Sequence, residues 1–360
     1  MNVKDPFQTR GKPVIVGTGL ISLDIVLGPG EEALPRLYAG GTCGNLLIIM
    51  RYLGWKSYPV SRMNGDKASK YVVDDMVRWG VEMDWATTKP SSNTPIIVQR
   101  IKRNKAGEVS HRFSWTCPNC GAWLPGYSAV PATAVEAVAE VVKSPEVFFF
   151  DRVSRGAITL AKLYKEKRAL VVFEPSGVGD PRLFREALEC AHIVKYSEER
   201  IHQIEGFGRV NGPLLEIQTC GAEGLRYRRF GRTDGSQKWR RVHALPTNAV
   251  KDTSGAGDWC CAGIIHHLGL NGVQGLQNAT NVKVLDAIRF GQAMAAWNCK
   301  FEGARGGMYA SSKTTFRTKV RELLEGKDVT LRSEAERPDR IGNLGCLGPA
   351  CEAKARSTKM

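Results

Sequence analysis

The chain has 360 residues, 51 Lys and Arg against 36 Asp and Glu, and a formal net charge of +15 at pH 7. A hydrophobic fraction of 42%, a charged fraction of 24%, and 38 Gly with 17 Pro are ordinary for a globular chain; they exclude a collagen, a coiled coil and wholesale disorder. The length suits one large α/β domain or about two of average size, with a core large enough to need no disulfides.

Taken in chain order, Pro13–Val16 is a β-branched run ended by Gly17 and reads as a buried strand. Cys43–Leu53 follows a Gly-Gly turn and reads as a helix, and Asp66–Trp79 reads as a second one, with apolar Tyr71, Val72, Met76 and Val77. Thr94–Arg103 and Glu108–Trp115 are strand-like runs joined by Asn104, Lys105, Ala106 and Gly107, a hairpin signal. Helices are expected at Pro131–Val142, Ala157–Glu166 and Pro181–Cys190, the last opened by a proline in its first turn. Between and after them lie the strands Val147–Phe150, Leu170–Phe173, His192–Val194 and Leu214–Thr219. Short apolar strands alternating with helices of about ten residues predict a mostly parallel sheet flanked by helices. The hairpin at 94–115 breaks that rhythm and is expected to be an antiparallel lid or clasp. From Arg332 to Met360 the chain turns polar and reads as a tail outside the main core.

The longest apolar stretches are short and interrupted, as in Val14–Val26 with Gly17, Gly19, Ser22 and Asp24, so no membrane span of about 18 residues is expected. The first residues, MNVKDPFQTRGKP, carry no apolar core and no small-residue cleavage site. Ten cysteines without an export signal fit a reducing compartment, the cytoplasm, where thiols are catalytic, metal-bound or simply reduced. The positive charge suits anionic partners: nucleotides, phosphorylated substrates or nucleic acid.

The segment Lys251–Asp258 reads KDTSGAGD and leads into an apolar run, WCCAGIIHHL, that reads as a buried helix. Ser254, Gly255, Ala256 and Gly257 put bare backbone N–H groups at a helix start, which binds anions through its orphan donors and its dipole. Asp258 sits in the first turn, where that dipole favours a carboxylate. A carboxylate beside a phosphate nest is placed to take the proton of an attacking hydroxyl. Read alone, the same residues also suit a Gly-rich turn with an ordinary N-terminal Asp.

Other segments complete the pattern. Gly40–Asn45 reads GGTCGN before a helix and continues through MRYLGWKSYPVSRMNGD to Gly65-Asp66; Asp24 lies in GLISLD after the first strand; Thr219-Cys220-Gly221 follows a strand. Together these resemble the PfkB carbohydrate kinases, with their ribokinase-like fold, from about Val14 to Gly307. The resemblance implies an α/β kinase domain over residues 1–310, with a central mostly parallel sheet and a small β lid (about 20–45 and 92–116). Residues 311–360 would add a C-terminal helix and a cysteine-containing tail. It implies Asp258 as the base that deprotonates the acceptor hydroxyl, and Gly255, Ala256 and Gly257 as the anion hole for the transferring phosphoryl group. Asp24, Gly40, Gly41, Asn45, Asp151 and Arg152 would contact the acceptor. Asp252, Thr253, Thr219, Gly221, Gly303 and Ala304 would shape the nucleotide site. The family's Asn-x-x-Glu, which organises magnesium-bound water, is altered: Ser197 stands where Asn is common and Arg200 where Glu would be, leaving Glu198 or Glu199 for the metal.

Competing motifs fall away. Gly17-Thr18-Gly19 lacks the third glycine of a dinucleotide fingerprint, since Ser22 holds that place, and no Gly-Lys pair is followed by Ser or Thr as a P-loop requires. His266 and His267 are expected to pack inside a helix, and Cys260 and Cys261 to be small buried side chains. The basic run Arg226–Arg241 reads as a solvated hairpin beside the nucleotide site more readily than as a nucleic-acid patch.

The expected activity is ATP- and Mg²⁺-dependent phosphorylation of a hydroxymethyl group on a sugar or sugar-like molecule. A nucleoside kinase of the same fold, and a non-catalytic regulatory or nucleic-acid-binding protein on this scaffold, are the alternatives. Family members often dimerise through the lid, so a homodimer is expected. The resemblance does not supply one further feature. Cys117 and Cys120 form a Cys-x₂-Cys knuckle in CPNCG, and Cys346 and Cys351 lie in GCLGPACE. Four thiolates in two close pairs predict a structural Zn²⁺ that pins the tail near the lid.

Overall fold

A computed structural model of the protein describes residues 5–9, 11–28, 34–103, 109–202, 204, 212–230, 238–247, 250–327, 345 and 351. Strands β1 (Val14–Thr18), β4 (Lys56–Met63), β5 (Ala86–Thr88), β8 (Val147–Phe150), β9 (Leu170–Phe173), β10 (Ile193–Ser197), β11 (Leu215–Thr219), β12 (Leu225–Arg229) and β13 (Arg240–Val242) form one sheet in the order β13-β12-β11-β10-β9-β8-β1-β4-β5. The pairs from β5 through β1 to β11 are parallel, and β12 and β13 close that edge antiparallel.

A second sheet has the order β3-β2-β6-β7, from β2 (Ser22–Leu27), β3 (Arg36–Gly40), β6 (Ile96–Arg103) and β7 (Val109–Ser114). It is the β lid. β6 and β7 pair antiparallel as the hairpin signal predicts, and the turn residues 104–107 lie outside the described residues. β2 and β3 carry no strand signal of their own, and fall in the lid element near residues 20–45 that the family resemblance implies. Ser22–Leu27 reads as the tail of the first apolar stretch, yet the chain turns at Gly19 and passes into the other sheet, where β2 pairs with β3 and β6.

The central strands are buried on both faces, which is why they read as continuous apolar runs rather than alternating ones. Their side chains still divide with period two. Ile15, Val147, Phe149, Leu170 and Val172 face one core, whose cover includes α1 (Thr42–Tyr52), α2 (Lys67–Arg78), α6 (Ala256–Leu268), α8 (Asn281–Asn298) and α10 (Lys313–Leu324). Val16, Phe148, Phe150, Val171 and Phe173 face the other, beneath α3 (Val135–Val141), α4 (Arg155–Glu166) and α5 (Pro181–Cys190). The helix expected at Pro131–Val142 is a 3₁₀ turn, Ala132–Ala134, leading into the shorter α3.

Short elements α7 (Gly272–Gln277) and α9 (Gly306–Ala310) flank α8, and a two-residue strand, β14 (Leu270–Asn271), precedes α7. α10 is part of the main core: Phe316 is fully buried and packs edge-on against Trp297. His266 is buried and accepts the Trp55 indole N–H at 3.1 Å, and Cys260 and Cys261 are buried, as expected of packing residues.

Candidate active site

The site residues gather beyond the carboxyl ends of the central strands, the end at which open α/β sheets bind ligands. On the lid side, Asp24 projects from β2 toward β3. A methyl group at Gly40 would lie 2.0 Å from its carboxyl carbon, so only glycine leaves room. Ser22 Oγ donates to Asp24 Oδ1 at 2.7 Å. Burial pushes the Asp24 carboxyl up to about 6, against the opposing pull of Ser22 and Arg305. Gly41 N-caps α1, and Asn45 stands in that helix's first turn.

Asn45 joins the two halves of the site. Its Nδ2 donates to Asp258 Oδ2 at 2.8 Å, and its Oδ1 accepts from Arg305 Nε at 3.0 Å. Arg305, buried, pairs with Asp75 at 3.0 Å, and the Tyr309 hydroxyl donates to the same carboxylate. A small pocket lies among Asp24, Tyr38, Asn45, Ala304 and Arg305. Asp151 is buried at the end of β8, with Oδ1 accepting the Leu20 N–H at 2.8 Å and Oδ2 held by Arg152 at 2.9 Å. Burial raises its carboxyl to about 6. Both oxygens of Asp151 thus already hold protein partners, and Arg152 is neutralised by its neighbour.

The glycine-rich loop expected to hold phosphate precedes α6. Gly255 caps this helix with φ +73°, and a methyl group there would lie 2.3 Å from the Ala304 carbonyl oxygen, so both backbone angle and space demand glycine. Ala256 N–H turns back on the Thr253 carbonyl at 3.2 Å, while the N–H groups of Gly257 and Asp258 belong to the first turn, which has no intrahelical acceptors. Asp258 is buried. Desolvation, and then the nearby Glu174 carboxylate, hold its pKa well above the ordinary carboxylate range; Asn45 and Lys195 act in the opposite sense. Such a carboxyl is a stronger proton acceptor than a solvated aspartate.

Asp252 is fully enclosed and braces the loop. It accepts from Ser254 N at 2.9 Å, Gly303 N at 2.8 Å and the lid's Gln99 Nε2 at 2.9 Å. The lid touches the loop again through His111, whose Nδ1 lies 3.4 Å from Thr253 Oγ1 and 3.6 Å from Asp252. Ala304 O accepts from Trp259 Nε1 at 3.0 Å and from Asn298 Nδ2 at 3.0 Å, which fastens the segment after α8 onto α6. Thr219 ends β11 and Gly221 follows on the same rim. Glu198 and Glu199 are exposed just past β10.

Sequence reasoning missed the pair formed by Lys195 on β10 and Glu174 after β9. Lys195 Nζ is buried and lies 2.5 Å from Glu174 Oε1. A methyl group at Gly257 would lie 3.5 Å from that ammonium, so the cation stands beside the first turn of α6. The other Glu174 oxygen is buried without a hydrogen-bond partner. Arg305, Asp75 and Gln99 were missed as well. No local motif marks them, because apart from the Arg305–Tyr309 contact the partners of their side chains lie 36 to 266 residues away in the chain.

The basic run is part of the sheet edge rather than wholly solvated. Arg228 is buried and pairs with Glu216 at 2.8 Å, and Arg229 is buried against Asn281 and Ala279. Residues 231–237 lie outside the described residues. A wider depression lies at the opposite strand ends, lined by Glu146, Lys167, Arg168 and Lys283, away from Asp24 and Asp258. Cys117, Cys120 and Cys351 converge at a separate place, with their sulfurs within 4.8 Å of one another; Cys346 lies outside the described residues.

Residues 28–310 match the model of the pfkB family carbohydrate kinases. The chain belongs to that family. The enzyme class is therefore that of an ATP-dependent carbohydrate kinase. No curated protein matches the chain in sequence. Among solved structures it is similar to a fructokinase with bound ATP from Xylella fastidiosa, with a TM-score of 0.65 and 17% identity over 87% of this chain and 98% of that one. It is also similar to Arabidopsis thaliana ribokinase complexed with ribose and ATP, with a TM-score of 0.60 and 18% identity over 88% of this chain and 99% of that one. An aminoimidazole riboside kinase from Salmonella enterica has a TM-score of 0.61 and 17% identity over 85% of this chain and 99% of that one. At these identities the likeness is one of fold. No helix among the described residues is long and apolar enough to cross a membrane.

Proposed function

We propose that the protein transfers the γ-phosphate of ATP to a hydroxymethyl group of a sugar or sugar-like acceptor, with Asp258 as the general base. The observation that carries this reading is the placement of Asp258. It stands in the first turn of α6, hydrogen-bonded to Asn45 at 2.8 Å and flanked by the Gly255–Gly257 backbone. Asp24 accepts two acceptor hydroxyls, and Asn45 and Arg305 hold Asp258 and the pocket wall in register. Asp258 takes the hydroxyl proton as the oxygen attacks phosphorus in line, and the helix N-terminus receives the negative charge that builds on the phosphoryl oxygens. The Lys195 ammonium adds positive charge beside the same oxygens. Gln99 and His111 bring the lid down on the loop and keep water from competing with the acceptor.

Magnesium fits this site because a buried Glu174 oxygen lacks a partner close to Asp258. Glu174, with the exposed Glu198 or Glu199 ordering water at the rim, would hold the ion. When bound, Mg²⁺ neutralises charge on the nucleotide phosphates. Asp252, Thr253, Thr219, Gly221, Gly303 and Ala304 shape the nucleotide side in this reading.

Residues 1–310 make the kinase domain, with α10 packed onto its core, and the lid serves as the face of a homodimer. Phe113 on β7 is 46% exposed and Trp123, just past the knuckle, is 72% exposed, leaving apolar surface for a partner subunit. Cysteines that remain thiols suit a reducing compartment such as the cytoplasm. The deciding experiment is ADP formation across a panel of sugars and nucleosides at fixed ATP and Mg²⁺. Turnover with sugars supports the reading. Turnover confined to nucleosides replaces the acceptor class, and none with either overturns the reading.

A further inference from the structure

The kinase chemistry leaves one cluster of ligating side chains unexplained. Cys117 and Cys120 lie in the loop that follows β7, whereas Cys351 comes from far beyond α10, yet all three sulfurs lie within 4.8 Å of one another. Cys117 and Cys351 are buried, 4% and 0% exposed, and both belong to the main core with Cys120 packed against it. The loop is folded as a tight knuckle. Cys117 N–H donates to the Ala122 carbonyl at 2.8 Å, Gly121 N–H donates to the Cys117 carbonyl at 2.9 Å, and Gly121 takes φ +68°. This turn points two sulfurs one residue pair apart to the same side, the arrangement of the Cys-x₂-Cys half of a zinc site.

We propose that Cys117, Cys120 and Cys351 supply three of the four ligands of a structural Zn²⁺ that clasps the C-terminal tail to the base of the lid. Tetrahedral Zn²⁺ with Zn–S bonds of about 2.3 Å separates its sulfurs by about 3.8 Å, so the three thiols need only a small contraction to close on the ion. Each Zn–S bond forms as its thiol gives a proton to solvent, so binding weakens as pH falls. Nothing is oxidised or reduced.

The knuckle also has a mechanical role. Leu124 N–H donates to the Trp115 carbonyl at 2.8 Å and Ile96 N–H to the Pro125 carbonyl at 3.1 Å, so the loop returns from the end of β7 to the start of β6. A metal there fixes the open end of the hairpin whose strands carry Gln99 and His111. The tail gains an anchor that its polar sequence could not otherwise provide.

The test is metal analysis of the full chain purified without chelator. About one zinc per chain is expected, falling at least tenfold in Cys120→Ser and in Cys351→Ser. A wild-type chain without metal, or one in which two of these cysteines are joined as a disulfide, overturns the proposal. Zinc retained in Cys351→Ser overturns the tail's part in it. Because a core cysteine variant can fail to fold, a second measurement uses the wild type alone. Co²⁺ added after zinc removal must give thiolate-to-cobalt charge-transfer absorption, and alkylation mapped by mass spectrometry must show Cys117, Cys120 and Cys351 protected by the metal. Labelling of Cys351 at the same rate with and without metal refutes the clasp.

Discussion

Asp258 and Asp24 are both buried carboxyls, but their burial has opposite uses. In the proposed mechanism the raised proton affinity of Asp258 makes it the better base. Asp258→Asn keeps the shape and removes the acceptor of the proton; turnover should fall about 10²- to 10⁴-fold while ATP binding by calorimetry stays intact. Lys195 lowers the Asp258 pKa, so Lys195→Met should move the acid limb of the kcat profile to higher pH, read from initial rates. For Asp24 the buried charge opposes folding. Its pKa rises from the ordinary 3.8 to about 6 on folding, so the native state binds more protons between these values and stability falls as pH rises through them. Asp24→Asn should therefore raise Tm at pH 7, give little change at pH 4, and abolish acceptor binding. Equal Tm differences at the two pH values would contradict this. The placement of Asp258 with the Gly255–Gly257 backbone at one helix start was legible because that grouping is contiguous in the chain. Lys195, Glu174 and Arg305 were not, since a buried ion pair leaves no local pattern and Lys195 reads as an ordinary residue in an apolar strand.

At the scale of elements, the strands with unbroken apolar runs were legible, as was the 94–115 hairpin, because burial on both faces and a turn signal are local properties. β2 and β3 were obscured because the same apolar stretch that makes β1 continues across Gly19 into a different sheet. The lid and the phosphate loop meet through Gln99, which donates to Asp252 at 2.9 Å and to Ser254 at 2.6 Å. Gln99→Leu removes both bonds; Asp252 keeps the Ser254 and Gly303 N–H donors, so the loss is that of one bond to a charged acceptor, about 1.5–3 kcal/mol, together with the bond to the Ser254 hydroxyl. The expected outcome is a lower Tm together with a raised acceptor KM. A Tm loss with KM unchanged would mean that the bond braces the loop without seating the lid.

At the scale of the whole molecule, a homodimer through the lid predicts a dimer by sedimentation that Phe113→Glu converts to monomer, with the circular dichroism spectrum retained. A monomeric wild type would remove this face as an interface. The division of the core into two has a consequence for the order in which the protein is made. The side beneath α3, α4 and α5 is complete once the chain has passed Ile204, since every member of that cluster has then emerged. The other side draws Trp259, Phe290, Trp297 and Phe316 from later in the sequence. At about 5–20 residues per second, Ile15, Phe149 and Val172 wait several seconds on the ribosome with half their cover missing. The nascent sheet thus has one finished face and one sticky face, and the late face stays uncovered until α6 and α8 arrive.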